Sequence, residues 1–531
     1  MLTLVAVLAL VGILGPFAPQ KAIAQAKPPV SLSEARAAKA LDAAAKTGPA
    51  ALRGFLYAMP KGTDLHYHLS GGIYAETFLR NAAADGLCID TAALAIVKPM
   101  AQTRSIPPQP VCGEGRVRAD SVSPPRNPDS QHLYDQMIDS LSMRTFVPVS
   151  AKSGHDQFFD TFARFETLEG SHLGEWLDEI ATRAAAQNEQ YLEVMHTPGQ
   201  FLQAAALAEK VGYHADFAEY RKLLLDAGLR GLIPAIRADF DKAEQQRRER
   251  EGCDKPGAQS ACNVEIRYLY QVLRAQPPDS VFAQILLGFE LASADPRVVG
   301  INLVQPEDGY VAMNDYRLHM QMLDAMHTIY PKVHITLHAG EIALGLVPPD
   351  GLKFHIREAI DQGHAERIGH GVDVMDEEHP EELLKEMAAK RIMVEVNLTS
   401  NDVILNVKGG DHPLTMYRKY GVPVALSTDD EGVSRIDLTH EYVRAMDTYH
   451  FTYPELKNMV RTGLEHGFLP GQSLWVAPKS GDSFAQPVSA CAGQLGKEEP
   501  TGKCADFLKG SEKAAQQFEL ERRFRVFEAT F

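Results

Sequence analysis

Eight short apolar or alternating runs, separated by helix-like stretches, predict an α/β protein built as a TIM-type (β/α)8 barrel. The runs are the His66-Tyr67-His68 segment and residues 190–196, 264–270, 298–304, 333–338, 367–370, 392–397 and 422–427. Two further observations support closure. Polar residues suited to chemistry gather at the carboxyl ends of these runs, the face on which such barrels carry their sites. No Gly-rich phosphate fingerprint follows the first run, which counts against an open doubly wound sheet. A barrel of about 250 residues fits within the 531 residues and leaves room for sizeable additions.

Composition bounds the partners. Apolar residues make up 45% and charged residues 23% of the chain, ordinary values for a soluble globular protein. The formal net charge of -16 argues against a nucleic-acid partner, because phosphate binding relies on surplus Lys and Arg. Residues 2–14 form an apolar core, Gly15-Pro16 breaks any helix, and Ala24-Gln25-Ala26 offers an A-x-A-like cleavage site. Residues 1–26 therefore read as a signal peptide. No basic residue precedes the apolar run, so an uncleaved anchor is the alternative. The run is short for a membrane span and no other stretch is long enough, so no stable membrane partner is expected. The expected location is periplasmic or secreted.

Six cysteines, grouped in pairs along the chain, suggest three local bridges: Cys88–Cys112, Cys253–Cys262 and Cys491–Cys504. Each pair flanks a polar stretch containing Gly or Pro, and an oxidising compartment would use bridges to staple such loops. Six unpaired thiols are the alternative, and no C-x-x-C spacing supports a cysteine metal site. Residues 27–55 read as an N-terminal helical arm, Ala-rich and capped at Ser31 or Ser33. The arm can pack on the main domain or on a second subunit, which makes a homodimer plausible. The barrel is placed at 56–470, with a stapled insertion after the first strand at about 85–128. Prolines at 107, 108, 110, 124 and 125 oppose helix and central strand there. Helical patterns run from about 131 to 169 and from 172 to 186. Residues 471–531 read as a stapled loop followed by a last helix.

The segment 331–343 organises the chemistry. An apolar strand delivers His338 to its carboxyl end, Ala339-Gly340 turns tightly, and Glu341 follows three positions after the histidine. This places a metal-ligand type beside a general acid/base. By itself such a pair is more often ordinary polar surface. His66 and His68 alternate around Tyr67, so on a strand both imidazoles share one face. Read singly, an H-x-H is a weak signal, His370 in Arg367-Ile-Gly-His-Gly371 is a satisfied core histidine, and Asp429-Asp430 is a helix N-cap. Around one barrel axis, three of these histidines and an aspartate form a mixed nitrogen and oxygen set compatible with Zn²⁺ and a water.

The chain resembles the adenosine deaminase family of the amidohydrolase superfamily. The matching segments are Asp64-Leu-His-Tyr-His-Leu-Ser-Gly71, Thr336-Leu-His-Ala-Gly-Glu341, Arg367-Ile-Gly-His-Gly371, Asn397-Leu-Thr-Ser-Asn401 and Ser427-Thr-Asp-Asp430. They span roughly residues 55–470, with the last helix near 511–531. The leading Met59-Pro-Lys-Gly62, the export signal, the arm and the insertion resemble the secreted branch, the adenosine deaminase-related growth factors. The resemblance implies one Zn²⁺ per subunit, held by His66, His68, His338 and Asp429, and a small-molecule purine nucleoside as substrate. It implies that an activated water attacks C6, that Glu341 protonates N1, and that Asp430 hydrogen-bonds N7. His370 would orient the attacking oxygen and assist proton transfer. The products implied are inosine or deoxyinosine and ammonia.

One departure bears on substrate. The family usually ends its fourth strand in Asp-Leu-Ala-Gly or Asp-Leu-Val-Gly, and that Gly meets the purine N3 edge. In this chain Asn302 stands for the Asp and Gln305 for the Gly. A side chain at 305 is expected to narrow the pocket, while its backbone N–H can still serve. The expected substrate contacts are thus Asp430, Gln305 and Gly340. Three readings compete: deamination of adenosine or deoxyadenosine, deamination of another 6-aminopurine such as adenine or a modified nucleoside, and a non-catalytic exported binding or signalling protein. The acid/base Glu341 beside an intact ligand set argues against the last. No Lys/Arg cluster is dedicated to a phosphate, which disfavours a nucleotide.

Overall fold

A computed structural model describes residues 31–101, 110–144, 146–148, 152–168, 170–478, 481–482 and 484–531. The signal segment 1–26 and residues 106–109 of the Pro-rich stretch lie outside the described residues. Eight parallel strands form one sheet: β1 (Gly62–His68), β2 (Glu189–His196), β3 (Glu265–Leu273), β4 (Val298–Val304), β5 (His334–Ala339), β6 (Arg367–His370), β7 (Met393–Val396) and β8 (Val424–Leu426). Each pairs in parallel with the next. A bridge between Tyr67 and Asp429 joins the end of the sheet back to β1 and closes the barrel. Asp429 N–H donates to the His66 carbonyl at 2.9 Å, and His68 N–H donates to the Asp429 carbonyl at 3.1 Å. Closure joins the two edge strands of the barrel sheet.

Helices cover the outside, so the strands are buried on both faces and read as nearly continuous apolar runs. Charges that interrupt those runs meet inside. Arg367 of β6 lies 2.7 Å from Glu193 of β2, donates to Glu395 of β7 at 2.6 Å, and donates to the His466 carbonyl at 3.0 Å. A guanidinium taken out of water requires partners of this kind.

The additions follow the turn chemistry. The arm expected as one helix is two, α1 (Leu32–Thr47) and α2 (Pro49–Ala58). Gly48, at φ +132°, ends the first, and Pro49 keeps the residue before it out of helical geometry. Ser31 is the residue that caps α1, accepting from Glu34 N–H at 3.1 Å. After β1 come a helix, Ala75–Ala84, and an antiparallel lobe of Cys88–Asp90, Ala95–Val97 and Arg116–Arg118. The Cys88–Cys112 bridge staples this lobe, and the Cys253–Cys262 and Cys491–Cys504 bridges also form. The helix expected over 131–169 is likewise two, Pro128–Ser140 and α3 (Gly154–Phe165), with Pro148 in the gap between them.

α4 (Leu398–Leu405) follows β7, and α5 (Glu512–Glu528) ends the chain. The arm packs on α5 below the barrel. Phe55 meets Phe527 at 5.2 Å between ring centres, and Lys457 bridges Glu34 at 2.9 Å and Glu528 at 2.6 Å. A cavity of about 760 Å³ lies there, lined in part by Ala40, Phe55, Pro60, Val264 and Phe527, at the barrel end opposite the strand carboxyl ends. Residues 471–510, expected as a loop, contain a short helix, Lys503–Lys509, and pack Leu474, Trp475, Cys491 and Cys504 against Phe518 of α5 in a separate apolar cluster. No helix among the described residues is long and apolar enough to cross a membrane.

Candidate active site

The carboxyl ends of β1 and β5 and the turn after β8 bring His66, His68, His338 and Asp429 together. Nε2 of His338 lies 3.1 Å from Nε2 of His66 and 3.2 Å from Nε2 of His68. Asp429 Oδ1 lies 3.4 Å and 3.2 Å from the same two nitrogens and makes no hydrogen bond among the described residues. His68, the most exposed of the four, is 9% exposed.

The outer nitrogen of each ring is tied to an acceptor. His66 Nδ1 is 2.6 Å from Glu395 Oε2, His68 Nδ1 is 2.8 Å from Gln271 Oε1, and His338 Nδ1 is 2.9 Å from Asn302 Oδ1. In a neutral ring the proton then sits on Nδ1 and the lone pair on Nε2. With all three rings neutral, three lone pairs and a carboxylate oxygen face one another with no proton to share. A divalent cation among them removes that repulsion, and three imidazoles with one carboxylate suit a borderline ion. Glu395 stays ionised: burial opposes this, but Arg367 and His66 hold its carboxyl down to about 2. Without a cation, burial opposes a second proton on His66, but the nearby carboxylates of Asp429 and Glu395 outweigh it and raise the ring to about 10. Cation binding therefore displaces that proton.

The proton-carrying groups stand beside this set. Glu307 accepts from Gly340 N–H at 3.0 Å and from Glu341 N–H at 2.8 Å, which pins the turn after β5. Gly340 sits at φ +77°, and a Cβ there would fall 2.4 Å from Asp373 Oδ1, so only glycine fits. Its carbonyl accepts from Val372 N–H at 2.8 Å, so Gly340 offers a substrate its Cα face alone. Burial, reinforced by the charges of Asp429 and Glu307, pushes the Glu341 carboxyl well above its usual range. Glu341 Oε1 lies 3.6 Å from His370 Nε2, and Asp429 Oδ2 lies 3.9 Å from the same nitrogen. Ser400 of α4 donates to Asp429 Oδ2 at 2.6 Å. Burial raises Asp430 to about 7, and its Oδ1 makes no hydrogen bond among the described residues.

Gln305 adopts φ +85°, the region glycine favours. Its side chain caps Ala275 N–H at 2.8 Å, and its carbonyl accepts from Arg274 Nε at 3.0 Å. The side chain expected to narrow the pocket is thus turned onto a neighbouring loop. Sequence reasoning missed the partners Glu395 and Gln271, and it gave Ser400, within the matching segment 397–401, no role. Glu395 carried a signal, a lone charge in the apolar run Met393-Val394-Glu395-Val396. Gln271 carried none.

The family model described as adenosine deaminase matches residues 175–474, more than half of the chain. The chain belongs to the adenosine deaminase family. The match begins after β1, so the placement of His66 and His68 rests on the geometry above. An adenosine deaminase of Pectobacterium atrosepticum is 34% identical over 183 residues, covering 34% of this chain and 49% of that protein. One from Shewanella loihica is 38% identical over 136 residues, covering 25% of this chain and 38% of that protein. The chain thus spans at most about half the length of these curated relatives. A solved amidohydrolase from Burkhoderia ambifaria with bound Zn is similar at a TM-score of 0.50 and 18% identity, over 79% of this chain and 88% of that one. At that identity the likeness speaks for the fold.

Proposed function

We propose that this chain is a zinc-dependent aminohydrolase that converts adenosine and deoxyadenosine to inosine and deoxyinosine with release of ammonia. The observation that carries this reading is the convergence of three histidine Nε2 atoms and Asp429 beside the buried carboxyl of Glu341. The adenosine deaminases matched by the chain support adenosine as the purine. His66, His68, His338 and Asp429 would hold the Zn²⁺, which would supply a nucleophile at neutral pH by lowering the pKa of a water. Glu341 donates its proton to N1, which draws electron density from C6. N1 keeps that proton in the product, and Glu341 recovers one from the new C6 hydroxyl as the carbonyl forms. Asp430, when protonated, matches N7, which is only an acceptor. Burial of all these groups keeps bulk water from competing for them. The three disulfides support export to an oxidising compartment.

A spectrophotometric assay with adenosine, deoxyadenosine, adenine and AMP, with and without a chelator, tests the reading. Chelator-sensitive turnover of adenosine is expected. Glu341→Gln is expected to lose about 10²- to 10⁴-fold in kcat with its zinc content unchanged. Turnover of another 6-aminopurine alone would move the substrate, and a protein unable to hold zinc would sink the enzyme.

A further inference from the structure

His370 ends β6 at φ +68°, with Glu341 and Asp429 before it. Its outer nitrogen is fixed by a chain of hydrogen bonds whose direction is set by a single backbone donor. Leu414 N–H can only donate, and it lies 3.2 Å from His412 Nδ1. His412 Nδ1 therefore accepts, and the proton of that ring is on Nε2. Burial, aided by Arg444, holds His412 neutral, down to about 4. His412 Nε2–H donates to Asn401 Oδ1 at 3.1 Å, which decides the orientation of the carboxamide. Asn401 Nδ2 then faces His370 Nδ1 at 2.9 Å and can only donate. His370 Nδ1 accepts from Asn401 and also has Asn397 Nδ2 at 3.4 Å, so the ring proton lies on Nε2, which faces the two carboxylates and meets Asn397 Nδ2 only at 3.5 Å. All three side chains are fully buried, so water does not compete along the chain.

We propose that Asn401 and His412 are positioning residues that hold His370 as the Nε2–H tautomer. His370 then serves the reaction as a hydrogen-bond donor to the oxygen attacking C6, and is not the base that removes its proton. The proton lost by that water passes to a carboxylate of the site and on to the leaving nitrogen, which departs as ammonia. N1 keeps the proton from Glu341, and Glu341 recovers the hydroxyl proton, so charge and protons balance. The catalytic part of this rests on the deaminase reading, whereas the tautomer does not.

The test is ring-nitrogen NMR of the zinc-loaded full chain labelled with ¹⁵N-histidine, with His370 assigned by its loss in His370→Asn. The wild type is expected to show a protonated Nε2 and an acceptor Nδ1. In Asn401→Asp a carboxylate accepts from Nδ1–H, so the tautomer is expected to invert and kcat for adenosine to fall about 100-fold, with KM little changed. His412→Gln keeps a donor toward Asn401 and is expected to retain both tautomer and kcat, while His412→Phe loses both. That pair decides the matter if Asn401→Asp fails to fold. A protonated Nδ1 in the wild type, or an Asn401→Asp variant unchanged in tautomer and kcat, would overturn the proposal. A wild type inert on adenosine but carrying Nε2–H would uphold the relay and sink the substrate reading alone.

Discussion

Asn302 accepts twice through one oxygen, from His338 N–H at 3.0 Å and from His338 Nδ1 at 2.9 Å. Its Nδ2 is buried and makes no hydrogen bond among the described residues. An aspartate would satisfy the same two donors without an orphan N–H, but it would add charge beside Glu307, Glu341 and Asp429. Asn302→Asp is expected to tighten zinc, and Asn302→Leu to weaken it by about 10- to 100-fold, both read by chelator competition. The departure from the family pattern thus bears on the cation through His338, with no substrate contact required. Gly71 is the second sensitive position. A Cβ there would fall 1.5 Å from Asp430 Oδ1, so the carboxyl proposed to meet N7 owes its place to the missing side chain. Gly71→Ala is expected to lower kcat/KM for adenosine by about 100-fold while zinc content stays unchanged.

At the scale of elements, α3 and α4 complete the carboxyl end of the barrel. A Cβ on Gly154 would fall 2.1 Å from the Val403 carbonyl, so α3 starts directly on α4, the helix that carries Ser400 and Asn401. The start of α3 also reaches the loop after β4. His155 Nε2 is 3.1 Å from Asp308 Oδ1, and its Nδ1 is 3.2 Å from Asp156 Oδ1. Two acceptors on both nitrogens call for an imidazolium. Burial opposes that charge, but Asp308 and Asp156 outweigh it and raise the pKa. The folded value lies above the unfolded one of about 6.5. The contact therefore contributes fully below that pH and is lost as pH rises through the raised value. Amide exchange over 154–165 is expected to speed up across that window beyond its intrinsic pH dependence, and in Asp308→Asn the change should move to lower pH. Constant relative protection in both proteins would remove the contact from the account of how α3 is held.

For the whole molecule, the additions are stapled and the barrel is self-closed. Two disulfides lie in the lobe after β1 and in the loop before β3, and a third closes residues 491–504 over an apolar cluster shared with α5. Each closes a short loop and restricts the unfolded chain by roughly 3 kcal/mol. The Cys88–Cys112 loop, with a sequence separation of 24, exceeds the Cys253–Cys262 loop of 9. Cys88→Ser/Cys112→Ser is therefore expected to lower Tm more than Cys253→Ser/Cys262→Ser, as scanning calorimetry would read directly.

The sequence by itself determined the eight strands, because strands covered by helices are largely buried on both faces and are written mostly in apolar residues. It also determined the positions of His66, His68, His338, Glu341, His370 and Asp429, since strand alternation and the carboxyl-end rule place them on one face of a barrel. Only the tertiary structure decided which nitrogen of each ring faces inward. That depends on Glu395, Gln271, Asn302 and Asn401, which come from other strands and helices, and no spacing along the chain encodes such a pairing. The fate of Gln305 is of the same kind. Its residue type announces a bulky amide, but only the loop that offers Ala275 N–H, across the end of β3, turns that amide aside.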